Sequence, residues 1–261
     1  MNALFLLGSS RGDGNTARTI RLFREKLEQA CAERGVSLDV EEISLARPRL
    51  EFCLGCRACF DRGEDYCPLK DGLLGIRDKM LWADTLVIAS PVYVEDVSGH
   101  VKNWIDRLAF LCHRPALYSK CAWLITTSGS RSTKHTLRTM SVALTTWGVK
   151  VLGGNKLFLG ALSEKEKIEE KYGPALEKAA GRLLRATQSG ASADPTLFSL
   201  LAFRVQQGFW RRDSSDSFDR RYWADKGWLE VDCDYYMPHR AGVTKRVLSR
   251  LASKAVLAVF K

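Results

Sequence analysis

Short apolar runs alternate with helix-period patterns through the first two thirds of the chain, and this alternation limits the fold more than any other feature. Ala3 to Leu7 is an apolar run, followed by a Gly/Ser-rich turn and a helical spacing of Ala17, Ile20, Phe23, Leu27 and Ala30 that reaches Gly35. Val36 to Leu45 can form a second strand. Leu73 to Ala83 reads as a helix, Thr85 to Ala89 as a buried strand ending at Ser90-Pro91, and Val101 to Cys112 as a helix again. Cys121 to Thr127 is a strand, Thr133 to Trp147 a helix, Lys150 to Leu159 a strand, and Glu164 to Thr187 a further helix. Strands and helices in this alternation predict an α/β chain with a doubly wound, five-stranded parallel sheet. Ligands of such sheets sit beyond the carboxyl ends of the strands. The loops beginning at Gly8, Ser90 and Thr127 are therefore where a site belongs.

The first of these loops, Gly8 to Thr16, joins strand to helix and is suited to a phosphate. Ser9, Ser10, Asn15 and Thr16 supply side-chain donors, Arg11 supplies charge, and the glycines expose backbone N–H groups at a helix N-terminus, where the dipole favours an anion. No Gly-Lys-Ser/Thr follows, so this is not a Walker loop. Gly12, Gly14 and Ala17 match the dinucleotide fingerprint G-x-G-x-x-A, but the first glycine comes four residues after Gly8 instead of closing the strand directly. Hydroxyl and amide donors in this number suit a terminal monophosphate better than a pyrophosphate. Clusters of Gly, Ser, Asn and Asp also form ordinary turns, and the place after the first strand argues for the phosphate reading.

Between the second strand and the next helix, Cys53, Cys56, Cys59 and Cys67 fall within one loop, residues 52–71. Two residues separate the first three thiols, seven separate the third from the fourth, and Pro68 follows. Zinc sites usually draw two ligands from each of two separated knuckles, whereas three thiols at two-residue intervals with a later Cys-Pro resemble the ferredoxin way of holding an iron–sulfur cluster. The spacing points to electron transfer; the alternative is a surface loop of reduced thiols. The stretch from Asp61 to Tyr66 makes the last gap long and acidic. Cys31, Cys112, Cys121 and Cys233 sit in helix, strand or tail positions and read as small buried hydrophobes.

The second strand-end loop, from Ser90-Pro-Val-Tyr-Val94 to Arg107, makes the pattern specific. With Gly8 to Thr16 it resembles the NAD(P)H-dependent FMN reductases of the flavodoxin-like superfamily, and with the cysteine run it is most similar to the iron–sulfur flavoprotein branch. The resemblance covers about residues 1–190. It implies a flavodoxin-like fold in which Ser9, Arg11, Asn15 and Thr16 hold the FMN phosphate. Pro91, Val92, Tyr93 and Val94 would line the flavin ring, and Thr127, Ser128 and Gly129, with Ser130, would lie near the ribityl chain. It also implies a [4Fe–4S] cluster on Cys53, Cys56, Cys59 and Cys67, with NAD(P)H as substrate. Lys102, Asp106 and Arg107 recur in the family and are read here as structural. No protein side chain is needed as the catalyst, because the flavin does the chemistry.

Beyond residue 190 the pattern changes, which divides the chain into an FMN-binding domain, 1–190, and a C-terminal extension, 191–261. Leu197 to Trp210 forms an apolar-rich helix, and an aromatic stretch to Trp228 follows; these aromatics are expected to be buried, although Trp210, Tyr222, Trp223 and Trp228 are also candidates to line an acceptor pocket. The net charge is +10, and six basic residues with no acidic one lie between Arg240 and Lys261. Arg246, Arg250 and Lys254 share one side of a basic amphipathic helix. Such a helix, residues 242–260, can lie on a membrane surface or pack on its own chain or a partner subunit. A basic total attracts anions in general, and nucleic-acid binding would make the flavin motifs coincidental. The first residues read as a strand and not a leader, and eight cysteines without a secretory signal suggest a cytoplasmic protein with reduced thiols. The reading is an FMN oxidoreductase that passes electrons to a small-molecule or protein acceptor as a homodimer or tetramer. The alternatives are a cluster-free NAD(P)H-dependent FMN/quinone reductase and a non-enzymatic carrier reduced by ferredoxin.

Overall fold

In the computed structural model, which describes residues 1–47, 49–130 and 133–259, the first apolar run forms strand β1 (Asn2–Leu7), buried from Ala3 onward. Helix α1 (Asn15–Glu33) follows, then β2 (Asp39–Ser44). The cysteine loop contains only a short helix, α2 (Ala58–Asp61), and a 3₁₀ turn at Glu64–Tyr66. After it come α3 (Leu73–Trp82), β3 (Thr85–Tyr93), β4 (Asp96–Val97), α4 (Gly99–Arg107), α5 (Phe110–His113), β5 (Cys121–Ser128), α6 (Lys134–Thr146), β6 (Lys150–Phe158) and α7 (Lys165–Gln188). The main strands pair in the order β2-β1-β3-β5-β6, all parallel. This is the flavodoxin-like arrangement, with its switch point between β1 and β3.

Alternate residues of the strands feed two cores. Leu4, Leu6, Leu86, Ile88 and Leu124 pack with α3, α4 and α6, whereas Ala3, Phe5, Val87, Ala89 and Ile125 pack with α1 and α7. Because both faces are covered, the central strands read as unbroken apolar runs with no polar alternation. Two expectations need correction. Strand β3 does not end at Ala89: Ser90 and Pro91 stay in register with Thr126 and Thr127, and Val92 and Tyr93 then turn back on β4. The Ser90 hydroxyl accepts the Ser98 N–H at 3.1 Å and holds this hairpin closed. The helix expected over 101–112 is two helices, α4 and α5, separated at Leu108 and Ala109.

The extension forms α8 (Leu197–Arg212), α9 (Phe218–Asp225) and α10 (Val243–Val259). Phe203, Trp223, Trp228, Tyr235 and Tyr236 are buried together in a third core, joined to the sheet domain through Tyr118, whose ring lies 5.6 Å from that of Trp228. The aromatics are thus packing residues. The basic helix lies along α8, so close at Gly208 that a Cβ there would meet Leu257 Cδ1 at 2.2 Å. The last residues of the basic segment, 260 and 261, lie outside the described residues. No helix among the described residues is long and apolar enough to cross a membrane.

Candidate active site

Three strand ends meet at the switch point and enclose a cleft of about 170 Å³. Its lining includes Ser9, Arg11, Asn15 and Thr16 from the loop after β1, Pro91, Val92 and Tyr93 from the end of β3, and Thr127, Ser128 and Gly129 from the end of β5. The fold thus brings ten of the eleven residues expected around the flavin to one place. Val94 is the exception. It is 99% exposed at the tip of the β3–β4 turn, at φ 47°, and Glu95 beside it is at φ 69°. Positive φ is rare for a β-branched residue. Gly14 of the first loop, with Gly160 and Ala161 from the loop after β6, completes the lining; nothing in the sequence singled out the last two.

The donors at the start of α1 are free to receive an anion. No side chain caps this helix and no acidic residue lies in its first turn, so its first N–H groups lack intrahelical partners and carry the positive end of the dipole. Ser9 is buried, and its hydroxyl accepts the Arg11 N–H at 3.2 Å. The Thr16 and Thr127 hydroxyls are 2.7 Å apart and tie the first loop to the end of β5. Asn15, expected as a side-chain donor, also links this loop to the one after β6. Its Nδ2 donates to the Gly160 carbonyl at 2.7 Å and its Oδ1 accepts from the Ser163 N–H at 2.8 Å, so the amide braces the loop after β6 with one of its two N–H groups and keeps the other. Gly8 has no room for a side chain, since a Cβ would lie 2.2 Å from Val101 Cγ2 and 3.0 Å from the Ala89 carbonyl. This close approach brings α4 against the loop, where the Ser98 hydroxyl donates to the Gly8 carbonyl.

Cys53, Cys56, Cys59 and Cys67 line a second cavity, of about 250 Å³, together with Leu73, Phe110 and Arg107. Cys53 and Cys56 are exposed, Cys59 and Cys67 half-buried. Among the described residues no three His, Cys, Asp or Glu side chains are grouped to hold a single metal ion. Burial pushes the Cys59 thiol up, the neighbouring Cys67 and Cys53 push it further, and Arg114 opposes them.

Two buried arginines hold this loop from outside it. Arg107, 4% exposed, pairs bidentately with Asp71 at 2.7 and 3.1 Å, donates to the Glu51 carbonyl at 2.7 Å, and stands 4.0 Å from Cys67 Sγ. Burial alone would raise the Asp71 carboxyl. The guanidinium and the N–H groups of Glu51 and Leu73 outweigh it and hold the group below its ordinary value. Arg114, 3% exposed, donates to the Cys59 carbonyl and to Glu64, both at 2.8 Å, and to buried Asp219 of α9. His113 shares Asp219 at 2.6 Å. The extension is thereby anchored on the cysteine loop. No local pattern signals this link, because its partners are separated by 105 positions and follow no period.

A family model described as NADPH-dependent FMN reductase matches residues 1–162. The chain is 27% identical over 154 residues to an iron-sulfur flavoprotein of Archaeoglobus fulgidus, covering 59% of this chain and 66% of that protein. It is 40% identical over 107 residues to an iron-sulfur flavoprotein of Methanocaldococcus jannaschii, covering 41% of this chain and 51% of the relative. The alignments thus span about half to two thirds of these relatives' length. Among solved structures, an oxidoreductase from Corynebacterium diphtheriae superposes with a TM-score of 0.57 at 20% identity, covering 72% of this chain and 97% of the other. A flavone reductase superposes at 0.54 with 20% identity, covering 72% of this chain and 63% of its own. At that identity the two structures speak for the fold alone.

Proposed function

The chain belongs to the NADPH-dependent FMN reductase family, and on that premise we propose that it is an FMN-dependent oxidoreductase supplied with electrons by NAD(P)H. The observation that carries this reading is the convergence of ten residues from three strand ends on one cleft at the switch point. FMN, when bound, would accept a hydride and release electrons singly or as a pair. The chain's own part is to bind and orient. The open N–H groups of α1, the hydroxyls of Ser9 and Thr16 and the charge of Arg11 receive the phosphate, and Asn15 adds the second N–H of its amide. Pro91, Val92 and Tyr93 offer a strip for the ring. Thr127, Ser128 and Gly129 face the middle of the cofactor. The test is the cofactor released from purified protein: FMN is expected, and FAD, or a colourless protein that FMN cannot reconstitute, overturns the reading.

The finer reading assigns Cys53, Cys56, Cys59 and Cys67 to a [4Fe–4S] cluster. Its support is that all four thiols line one cavity and that both curated relatives are named iron-sulfur flavoproteins. A cluster offers each thiolate its own iron, so the ligands converge on a body and not on a point. Single-ion geometry is then not required. The exposure of Cys53 and Cys56 favours the second reading, a cluster-free FMN/quinone reductase. Iron near zero in anaerobic protein that refuses reconstitution with iron and sulfide would select that second reading. A carrier reduced by ferredoxin would show ferredoxin-dependent flavin reduction and no oxidation of NADPH or NADH. With the main reading go a cytoplasmic location and a homodimer or tetramer, for which the exposed Leu197 and Phe198 of α8 supply apolar surface.

A further inference from the structure

The extension lies outside the family match and carries a feature that electron transfer at the flavin does not use. Arg204, Gln207, Gly208 and Arg211 lie on one face of α8, and Val247, Arg250, Leu251 and Lys254 on the facing side of α10. Between them is a crevice of about 380 Å³, within the range of small-molecule sites. Four cations line it and no aspartate or glutamate does.

Arg204 is the unusual member. It is 9% exposed, and its Nε and Nη2 have no hydrogen-bond partner among the described residues. The nearest carboxylate, Asp234, is 3.6 Å away and is already engaged by His239 at 2.8 Å and Arg246 at 2.7 Å. Buried donors are rarely left unmade, because the desolvation cost is then uncompensated. Burial and the repulsion of Arg250, stronger than the pull of Asp234, hold the Arg204 guanidinium below its ordinary value, with Arg246 and Arg211 adding to it. An anion in the crevice would relieve the crowding of charge.

We propose that the crevice between α8 and α10 binds the phosphate group of a small, partly apolar ligand, with Arg204 and Arg250 as its main partners. The planar fork of a guanidinium matches phosphate oxygens bidentately. Several cations facing one space favour a dianion over a carboxylate. Val247 and Leu251 give the ligand an apolar wall. The phosphate belongs either to a soluble phosphate ester or to a lipid headgroup.

The test uses full-length protein saturated with FMN, so that the flavin phosphate loop is already occupied and binding there is not counted. Calorimetric titration with inorganic phosphate at constant ionic strength should show one saturable site. Arg250→Gln and Lys254→Gln, both at exposed positions, should each weaken it by about tenfold, the effect of one charge-assisted hydrogen bond. Arg204→Gln should abolish it, with circular dichroism reporting whether that variant folds. Vesicles of phosphatidylcholine containing phosphatidic acid distinguish the sources. Retention that inorganic phosphate competes away and Arg250→Gln reduces assigns the site to a lipid headgroup; phosphate binding without retention assigns it to a soluble ester. Absence of saturable phosphate binding, or equal affinity in Arg250→Gln and Lys254→Gln, overturns the proposal.

Discussion

Replacing Arg107 with Met tests whether the cysteine loop is held by one buried ion pair. The side chain of Arg107 is 1% exposed and that of Asp71 10%, so the substitution strands a carboxylate in the interior. Removing one member of a buried pair typically costs about 3–5 kcal/mol. The lower end is expected here, because Asp71 keeps the N–H groups of Glu51 at 3.0 Å and Leu73 at 3.2 Å. With a urea slope of about 3 kcal/mol/M, the unfolding midpoint should fall by about 1–2 M. The double substitution Arg107→Met with Asp71→Leu should recover most of the loss, since an apolar pair of similar volume has no charge to leave unpaired. The assay is urea unfolding followed by tryptophan fluorescence, with alkylation of Cys67 as the local readout. A single variant within about 1 kcal/mol of the parent would refute the reasoning. So would a double variant no more stable than the single one.

Gly8→Ala forces a Cβ to within 2.2 Å of Val101 and should cost about 1–3 kcal/mol through overpacking, along with FMN retention, measured as flavin per chain after gel filtration. Cys121 is buried, which pushes its thiol up to about 11; maleimide at pH 8 should label the exposed Cys53 and Cys56 in the cluster-free protein well before Cys121 and Cys31, by peptide mass. Burial raises the Asp234 carboxyl, but its bond with His239 and the charge of Arg246 outweigh that and leave it depressed. A depressed carboxyl contributes stability that is present above the unfolded value, about 3.9, and lost as pH falls through the folded value. Thermal melts should therefore drop more steeply below about pH 4 in the parent than in Asp234→Asn, and parallel curves would refute the assignment.

Local chemistry was legible and long-range chemistry was not. The loops beginning at Gly8, Ser90 and Thr127 could be placed together from the sheet topology, the first also by its own donors, whereas the parts given to Pro91 and Thr127 came from the family resemblance. The β3–β4 hairpin was missed because its tip is Val94, a residue no turn pattern would put at positive φ. Asn15 was recognised as a polar residue of the loop, but its two bonds run to Gly160 and Ser163, which no local pattern connects to it. Arg107 was noticed and read as structural; its bonds to Asp71 and the Glu51 carbonyl show what it supports. The crevice of the extension depends on two stripes meeting across a helix pair. A single helix shows only half of it.

The anchoring of Arg114 to Asp219 also sets an order in time. Cys53 to Cys67 are made early, but the loop that carries them is closed by Arg107, Arg114 and then Asp219. The last of these follows Cys67 by roughly 150 residues, which at a synthesis rate of about 5–20 residues per second is about 8–30 s. Through that interval the loop lacks the anchor that Arg114 makes to Asp219, and its thiols are expected to be more open to oxidants. Stalled nascent chains ending before and after α9 should differ in thiol labelling at Cys59 and Cys67. The arrival of α9 would then end the period in which the cysteine loop lacks its outer anchor.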